Sequence, residues 1–313
     1  MQRPLKPPAL RPGDGVRVLS LASPVQEDHL QKGGAELTRL GYAPKMDRVS
    51  VLGRDGFFAG SAAGRLAALR EGFAEPETRA IFCSRGGYGS NYLLDGWSDS
   101  SPAPTAKIFL GASDLTSIQL FLWHKFRLVT FYGPMVASNF DRGAGAPHGY
   151  DGASLASALT ETKQGWSIDL EAAEISSGLA KGVLLGGCLT LLESALGTPW
   201  ELDTAGAILV LEDRGMKPYQ VDRALMHLKQ AGKFREVAGI IMGDFPECDP
   251  STGSETVRQV AQRILGALGI PIVFGAPVGH TVRPMLTLPL GVRAELSSAG
   301  CGTLSILEPA CAP

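Results

Sequence analysis

Short apolar runs alternate with amphipathic segments along the first part of the chain. Runs of strand length predict buried parallel strands at 15–23, 79–84, 107–110 and 128–132, and a weaker strand at 45–52. Apolar residues at helical spacing predict helices at 28–40, 61–73 and 115–126. This alternation through about 135 residues predicts a doubly wound parallel sheet.

The pattern weakens after this part of the chain and then resumes in a different form. Further strands are predicted at 182–187, 207–212, 239–243 and 271–275, separated by helices at 189–196, 218–231 and 255–268. The tail has three more strand-like runs with no helix between them. We therefore expect an α/β protein with an N-terminal domain over 1–145, a linker region over 146–181, and a smaller mixed α/β C-terminal domain over 182–313.

Composition narrows the possible partners. The chain has 313 residues, a hydrophobic fraction of 44%, a charged fraction of 19% and a net charge of −2, which favours neither nucleic acid nor an anionic membrane as partner.

Prolines at 4, 7 and 8 interrupt the apolar core that a signal peptide would need, and no apolar run could span a bilayer. We therefore expect a cytoplasmic protein.

The cysteines give no sign of a disulfide framework or a zinc site. There are five of them, an odd number, and none forms a C-x-x-C pair. We expect reduced thiols in or near the core.

A serine follows the apolar run at 107–110. The segment 111–114, Gly-Ala-Ser-Asp, joins that predicted strand to a predicted helix, so Ser113 would project from the carboxyl end of the sheet. This is the arrangement of a nucleophile elbow, in which the next N–H group is available to bind an oxyanion. The sequence departs from G-x-S-x-G because Leu115 replaces the second glycine. The alternative is a serine that caps the helix.

Three other strand ends carry residues suited to chemistry. The segment 85–89, Arg-Gly-Gly-Tyr-Gly, could cradle a phosphate, supply one oxyanion N–H, or be only a tight turn that needs glycine. Glu212 ends an apolar strand and is either a site residue or a salt-bridged loop residue. His280 lies in a loop rich in glycine and proline and is a candidate general base. Together with Ser113, the last two supply the parts of a serine, histidine and carboxylate triad.

At this point the sequence resembles the LD-carboxypeptidases, which include the murein tetrapeptide carboxypeptidases and the microcin C immunity peptidases. The resemblance covers nearly the whole chain and rests on separated motifs in the same order. They are Leu-Arg-Pro-Gly-Asp at 10–14, Arg-Gly-Gly-Tyr-Gly at 85–89, Gly-Ala-Ser-Asp at 111–114, Thr-Phe-Tyr-Gly-Pro at 130–134, Gly-Gly-Cys-Leu-Thr at 186–190, Leu-Glu-Asp at 211–213, Tyr-Gln-Val-Asp-Arg at 219–223, Gly-His at 279–280 and Leu-Pro-Leu-Gly at 288–291.

The resemblance implies a mechanism and a fold. Ser113 would be the nucleophile, Glu212 and His280 the rest of the triad, and the N–H groups of Asp114 and Gly86 the oxyanion hole. The first domain would resemble the class I glutamine amidotransferases, the site would form between the two domains, and the protein would be a homodimer without a metal or organic cofactor.

The sequence also departs from the family near the expected substrate cleft. Relatives commonly have His at position 132 and Asn at 188, where this chain has Tyr132 and Cys188, and they often have an aromatic residue in place of Ala112. Tyr132 and Cys188, together with Arg85, are therefore candidates for substrate binding. A carboxypeptidase also needs a cation for the substrate's free carboxylate, and Arg85, Arg214 and Arg283 are all candidates.

The resemblance implies that the protein is a serine carboxypeptidase of peptidoglycan recycling, which removes the terminal D-alanine of a murein tetrapeptide. The nearest alternative is an immunity-type peptidase acting on a peptidyl-nucleotide or another acyl-amino acid amide. Two alternatives come from other classes: a non-catalytic protein that binds a ligand between two domains, and a phosphate-binding enzyme that uses the turn at 85–89.

Overall fold

The computed structural model describes residues 3–97, 103–250 and 255–313. Within these residues the strands form a six-stranded and an eight-stranded sheet, with helices packed on both. None of the described helices is both long and apolar enough to cross a membrane.

The first sheet is built from the N-terminal half of the chain. Its parallel strands are β1 Gly15–Leu19, β2 Ala43–Lys45, β3 Thr78–Cys83, β4 Ile108–Gly111 and β5 Thr130–Tyr132. The helices between them are α1 Glu27–Arg39, α2 Arg48–Val51, α3 Ala62–Ala74 and α4 Thr116–Phe126. The strand order β5-β4-β3-β1-β2 reverses direction at β1, which confirms the doubly wound parallel sheet.

The weak strand predicted at 45–52 is wrong. The strand β2 ends at Lys45, and α2 starts three residues later. The Asp47 carboxylate accepts a hydrogen bond from the Val49 N–H at 3.1 Å and caps the new helix. This local cap outweighs the β preference of the valines at 49 and 51.

The second sheet contains eight of the remaining described strands and is mixed, as expected. In chain order these are β6 Trp166–Asp169, β7 Ala173–Ser176, β8 Leu179–Cys188, β9 Ala207–Glu212, β10 Gly239–Gly243, β11 Ile272–Ala276, β13 Arg293–Ser297 and β14 Thr303–Ile306. The four central strands, β8 to β11, are parallel, and their flanking strands are antiparallel. The helices of this half are α5 Gly152–Thr160, α6 Leu189–Ser194, α7 Pro218–Gln230 and α8 Val257–Leu265.

One strand of the first sheet comes from the second half of the chain. β12, Leu288–Leu290, comes from the second half and pairs antiparallel with β5 at the edge of the first sheet. The predicted linker region contains α5, β6 and β7, and both strands belong to the second sheet. The domain boundaries at 145 and 182 stay a prediction.

Strands of both sheets end close to the candidate site residues. β3 and β4 of the first sheet and β9 and β11 of the second all end beside the segments that carry the candidate site residues. A continuous buried apolar cluster joins the sheets, including Phe82 and Leu110 on one side and Ile208 and Val273 on the other. The core therefore holds these strand ends in a fixed relation.

Candidate active site

A cavity of about 180 Å³ brings together residues that are far apart in the sequence. Arg85 and Gly86 reach it from the turn after β3, Ser113 from the turn after β4, and His280 from the loop after β11. The fifth candidate, Glu212, is fully buried behind His280. The carboxyl ends of parallel strands are where ligand sites form in open α/β sheets.

Ser113 occupies a strained turn at the cavity wall. Its φ is 61°, in the left-handed region that a residue with a side chain seldom adopts. Ser113 is the first residue of a short 3₁₀ turn, Ser113–Leu115, and the N-cap of that turn is Ala112. The N-cap of α4 is Leu115. Ser113 is therefore not the helix cap that was the alternative, and its strain is of the kind found at functional sites.

Glu212 and His280 form a hydrogen-bonded pair. Glu212 Oε2 accepts the backbone N–H of His280 at 2.7 Å and lies 2.8 Å from His280 Nδ1. Because Nδ1 faces a carboxylate, it carries the proton and leaves Nε2 as the basic nitrogen of the neutral ring. Gly279 permits this contact, since a Cβ there would lie 2.1 Å from Glu212 Cδ.

The charge state of the pair follows from two opposing effects. Burial lowers the pKa of His280, but the charge of Glu212 and its hydrogen bond outweigh burial and leave that pKa above its ordinary value. Burial raises the pKa of Glu212, but the charge of His280 and the hydrogen bonds to the carboxylate leave it lowered. Glu212 is therefore an anion that can stabilise an imidazolium at position 280.

The described structure shows no hydrogen bond between the Ser113 hydroxyl and the His280 ring. Both groups line the same cavity. The geometry thus places the two groups at one site.

Two N–H groups stay candidates for an oxyanion hole. The Gly86 backbone approaches the serine closely, because a Cβ on Gly86 would lie 3.0 Å from Ser113 Oγ. The Asp114 side chain turns away from the cavity and accepts the Ser90 N–H at 2.7 Å, which fixes the turn. The N–H of Ser113 itself is already donated to the Tyr132 hydroxyl at 2.9 Å.

The three candidate arginines have different surroundings. Arg85 lines the cavity, donates to the Pro24 carbonyl at 3.3 Å, and has no ion pair among the described residues. Arg214 also lines the cavity and is paired with Glu247 at 2.5 Å. Arg283 is paired with Asp244 at 2.6 Å and with Glu171, and it is not part of the cavity wall.

Two other predicted substrate contacts do not reach the cavity. Tyr132 is fully buried, and its hydroxyl donates to Glu212 Oε1. Cys188 is also buried, with its Sγ 3.5 Å from Asp213 Oδ2.

Sequence reasoning missed several wall residues between β5 and α5. Ser138 and Asn139 line the cavity from a short helical turn, Val136–Phe140, and His148 lines it from the loop after that turn. The turn is too short to show a hydrophobic period, so a single sequence carried no signal for these residues. Among the described residues, no group of three or more His, Cys, Asp or Glu side chains is arranged to hold a metal ion.

Comparison with known families decides the relationship. The LD-carboxypeptidase N-terminal domain matches residues 16–133, and the LD-carboxypeptidase C-terminal domain matches residues 181–296. The chain belongs to the LD-carboxypeptidase family. The resemblance drawn from the motifs is thereby confirmed.

Individual relatives agree with this assignment. A probable murein peptide carboxypeptidase of Bacillus subtilis (strain 168) is 36% identical over 297 residues, which are 94% of this chain and 92% of the relative. The solved muramoyltetrapeptide carboxypeptidase from Oxalobacter formigenes is 28% identical, has a TM-score of 0.82, and covers 94% of this chain and 99% of its own. A structure of MccF with glutamyl sulfamoyl guanosine has a TM-score of 0.89 over 99% of this chain and 100% of its own, at 24% identity, and shows the shared fold.

Proposed function

We propose that this LD-carboxypeptidase family member is a serine enzyme that removes the terminal D-alanine from murein tetrapeptide during cell-wall recycling. The observation that carries the proposal is the buried Glu212–His280 pair at the wall of the cavity into which Ser113 emerges. The relatives named for murein peptides support the substrate class. We also propose that the protein acts as a homodimer in the cytoplasm, where recycled wall peptides accumulate.

The mechanism is acyl transfer. His280, oriented by Glu212, removes the Ser113 proton as the hydroxyl oxygen attacks the peptide carbonyl. The N–H groups of Asp114 and Gly86 stabilise the oxyanion, and each such donor typically lowers the barrier by about 3 kcal/mol. His280 then protonates the departing D-alanine amine, and water hydrolyses the acyl-enzyme by the same steps.

Arg85 is the group that we propose to bind the terminal carboxylate of the substrate. It is the one of the three candidate arginines that lies in the cavity wall without an ion pair to any described residue. Its guanidinium can make two parallel hydrogen bonds to a carboxylate. Arg214 would first have to leave Glu247, and Arg283 is bound elsewhere.

The test compares three peptides: the tetrapeptide, its all-L counterpart, and the tetrapeptide with a C-terminal amide. We expect alanine to be released efficiently from the first peptide only, because inverting the last centre or removing its charge leaves a buried group unpaired. In Arg85→Gln the preference for acid over amide should fall by about tenfold to 100-fold, since a charge-assisted hydrogen bond contributes about 1.5–3 kcal/mol. Arg214→Gln is the matched variant and should keep the preference.

Two results would count against the proposal. Equal cleavage of the all-L peptide would contradict the stereochemical claim. If Arg85→Gln kept the preference for the acid over the amide and Arg214→Gln lost that preference, Arg214 and not Arg85 would be the residue that binds the carboxylate.

An immunity-type peptidase is the second candidate. The observation that favours this function is that the chain shares its fold with MccF, whose structure was solved in complex with glutamyl sulfamoyl guanosine. Hydrolysis of a peptidyl-nucleotide, with no cleavage of the tetrapeptide, would establish this function in place of the first.

A further inference from the structure

A single tyrosine hydroxyl connects the two sheets directly beneath the candidate site. Tyr132 ends β5, is aligned with Gly111 of β4, and is fully buried. Its hydroxyl oxygen accepts the N–H of Ser113 at 2.9 Å, and its hydroxyl proton is donated to Glu212 Oε1. The turn of the proposed nucleophile is therefore tied to the proposed triad carboxylate through one atom.

The direction of both hydrogen bonds is fixed by chemistry. A backbone N–H can only donate, so the tyrosine oxygen must be the acceptor toward Ser113. An ionised carboxylate can only accept, so the single hydroxyl proton points to Glu212. Burial and then the charge of Glu212 raise the pKa of Tyr132 well above its ordinary value, so this proton stays in place across the neutral range.

We propose that Tyr132 is a positioning residue of the catalytic site, an inference that rests on Ser113 being the nucleophile. It has two effects. It holds the Ser113 backbone in its left-handed conformation by occupying the Ser113 N–H, which leaves the oxyanion to other amides. It also disperses part of the charge of Glu212, and so sets how strongly that carboxylate holds a proton on His280.

The hydroxyl can be removed with little other change. Tyr132→Phe keeps the buried ring and deletes one oxygen, which leaves the Ser113 N–H without its acceptor and Glu212 Oε1 without its donor. The groups that interact electrostatically with the Glu212–His280–Tyr132 unit are Cys188 on β8, Asp213 beside Glu212, and Arg214. None of them is altered by the substitution.

The expected pH effect has a definite sign. Loss of a donor destabilises the anionic form of the Glu212–His280 pair, so the pair takes up a proton more readily. The acid limb of Ser113 reactivity should therefore move to higher pH in Tyr132→Phe. A tyrosine that only fills space would not move it.

The experiment follows covalent labelling of Ser113 by a fluorophosphonate in the full chain, by mass spectrometry, across pH. This readout needs no knowledge of the peptide substrate. We expect Tyr132→Phe to be labelled at least about tenfold more slowly at its optimum and with its acid limb at higher pH. The matched control is Tyr150→Phe, which removes another fully buried tyrosine hydroxyl, one that donates to Glu36 at 2.6 Å, and should leave rate and profile unchanged.

A second variant keeps the proposal testable if Tyr132→Phe does not fold. Incorporation of 3-fluorotyrosine at position 132 makes the phenol a stronger donor, so the acid limb should move to lower pH. Unshifted profiles and wild-type labelling rates in the folded variants would overturn the role of Tyr132 while leaving the proposed function intact. Absence of Ser113 labelling in the wild type would overturn both.

Discussion

Glu212 shows at the scale of one residue why the site is built as it is. A fully buried carboxylate is unfavourable unless donors surround it, and Glu212 receives hydrogen bonds from the His280 backbone, the His280 ring and the Tyr132 hydroxyl. Burial raises the pKa of Glu212, but the charge of His280 and these donors outweigh burial and leave that pKa lowered. The carboxylate is therefore held charged where an imidazolium would form.

The pH dependence of activity follows from the histidine. Because the pKa of His280 is raised, the ring becomes protonated at a higher pH than a free histidine and then cannot act as a base. We expect kcat/KM to fall as the pH is lowered, with a midpoint above about 6.5, the ordinary histidine pKa. A rate profile from pH 5 to about pH 9 tests this. A flat profile, or a midpoint well below the ordinary value, would contradict the assigned role of His280.

The sequence predicted some of these residues better than others. Ser113, Glu212 and His280 became candidates because each lies at the end of a predicted strand or in the loop after it, and a strand end is a position that a pattern can locate. Tyr132 was expected to contact substrate, but the structure buries it. The direction of its side chain depends on the alignment of β5 with β4 and on the distance to β9, which no local pattern records.

At the scale of secondary-structure elements, the strands predicted best are those with a continuous apolar run. β9 and β10 have the predicted bounds because both strands are buried along their whole length. Two features could not be predicted this way. The strand expected at 45–52 gave way to a side-chain cap at Asp47, and the pairing of β12 with β5 joins segments more than 150 residues apart.

The loop after β11 gives a testable element-scale prediction. Gly279 and Gly269 both have positive φ, at 64° and 70°, but only Gly279 faces the Glu212 carboxylate, while a Cβ on Gly269 would meet nothing within 4 Å. Gly269→Ala should lower the unfolding free energy by about 1–2 kcal/mol of backbone strain, and Gly279→Ala should lower it by more, because its Cβ would also clash with the buried Glu212 carboxylate. Only Gly279→Ala should also lose most activity, because it displaces Glu212 from His280.

Thermal unfolding and peptide turnover of the two variants measure this difference. If Gly279→Ala and Gly269→Ala lost activity equally, the loop would not be acting through Glu212.

At the scale of the whole molecule, the candidate site exists because two sheets are fixed against each other. Ser113 comes from a turn of the first sheet, and Glu212 and His280 come from the second. The pairing of β12 with β5 and a continuous apolar cluster fix the two sheets relative to each other. The two-sheet α/β architecture was predictable from alternating patterns, but the site between the sheets became evident only from the family resemblance and then from the coordinates.

The most direct measurement of the central claim is D-alanine release from murein tetrapeptide by the wild-type chain and by Ser113→Ala. The control is Ser117→Ala, which removes another buried serine hydroxyl one turn further along, in α4. We expect the wild type and Ser117→Ala to release D-alanine at similar rates, and Ser113→Ala to lose activity by a factor of about 10⁴ or more, as when a triad nucleophile is removed. Substantial release by Ser113→Ala would contradict the account, because the cleavage would then proceed without the proposed nucleophile.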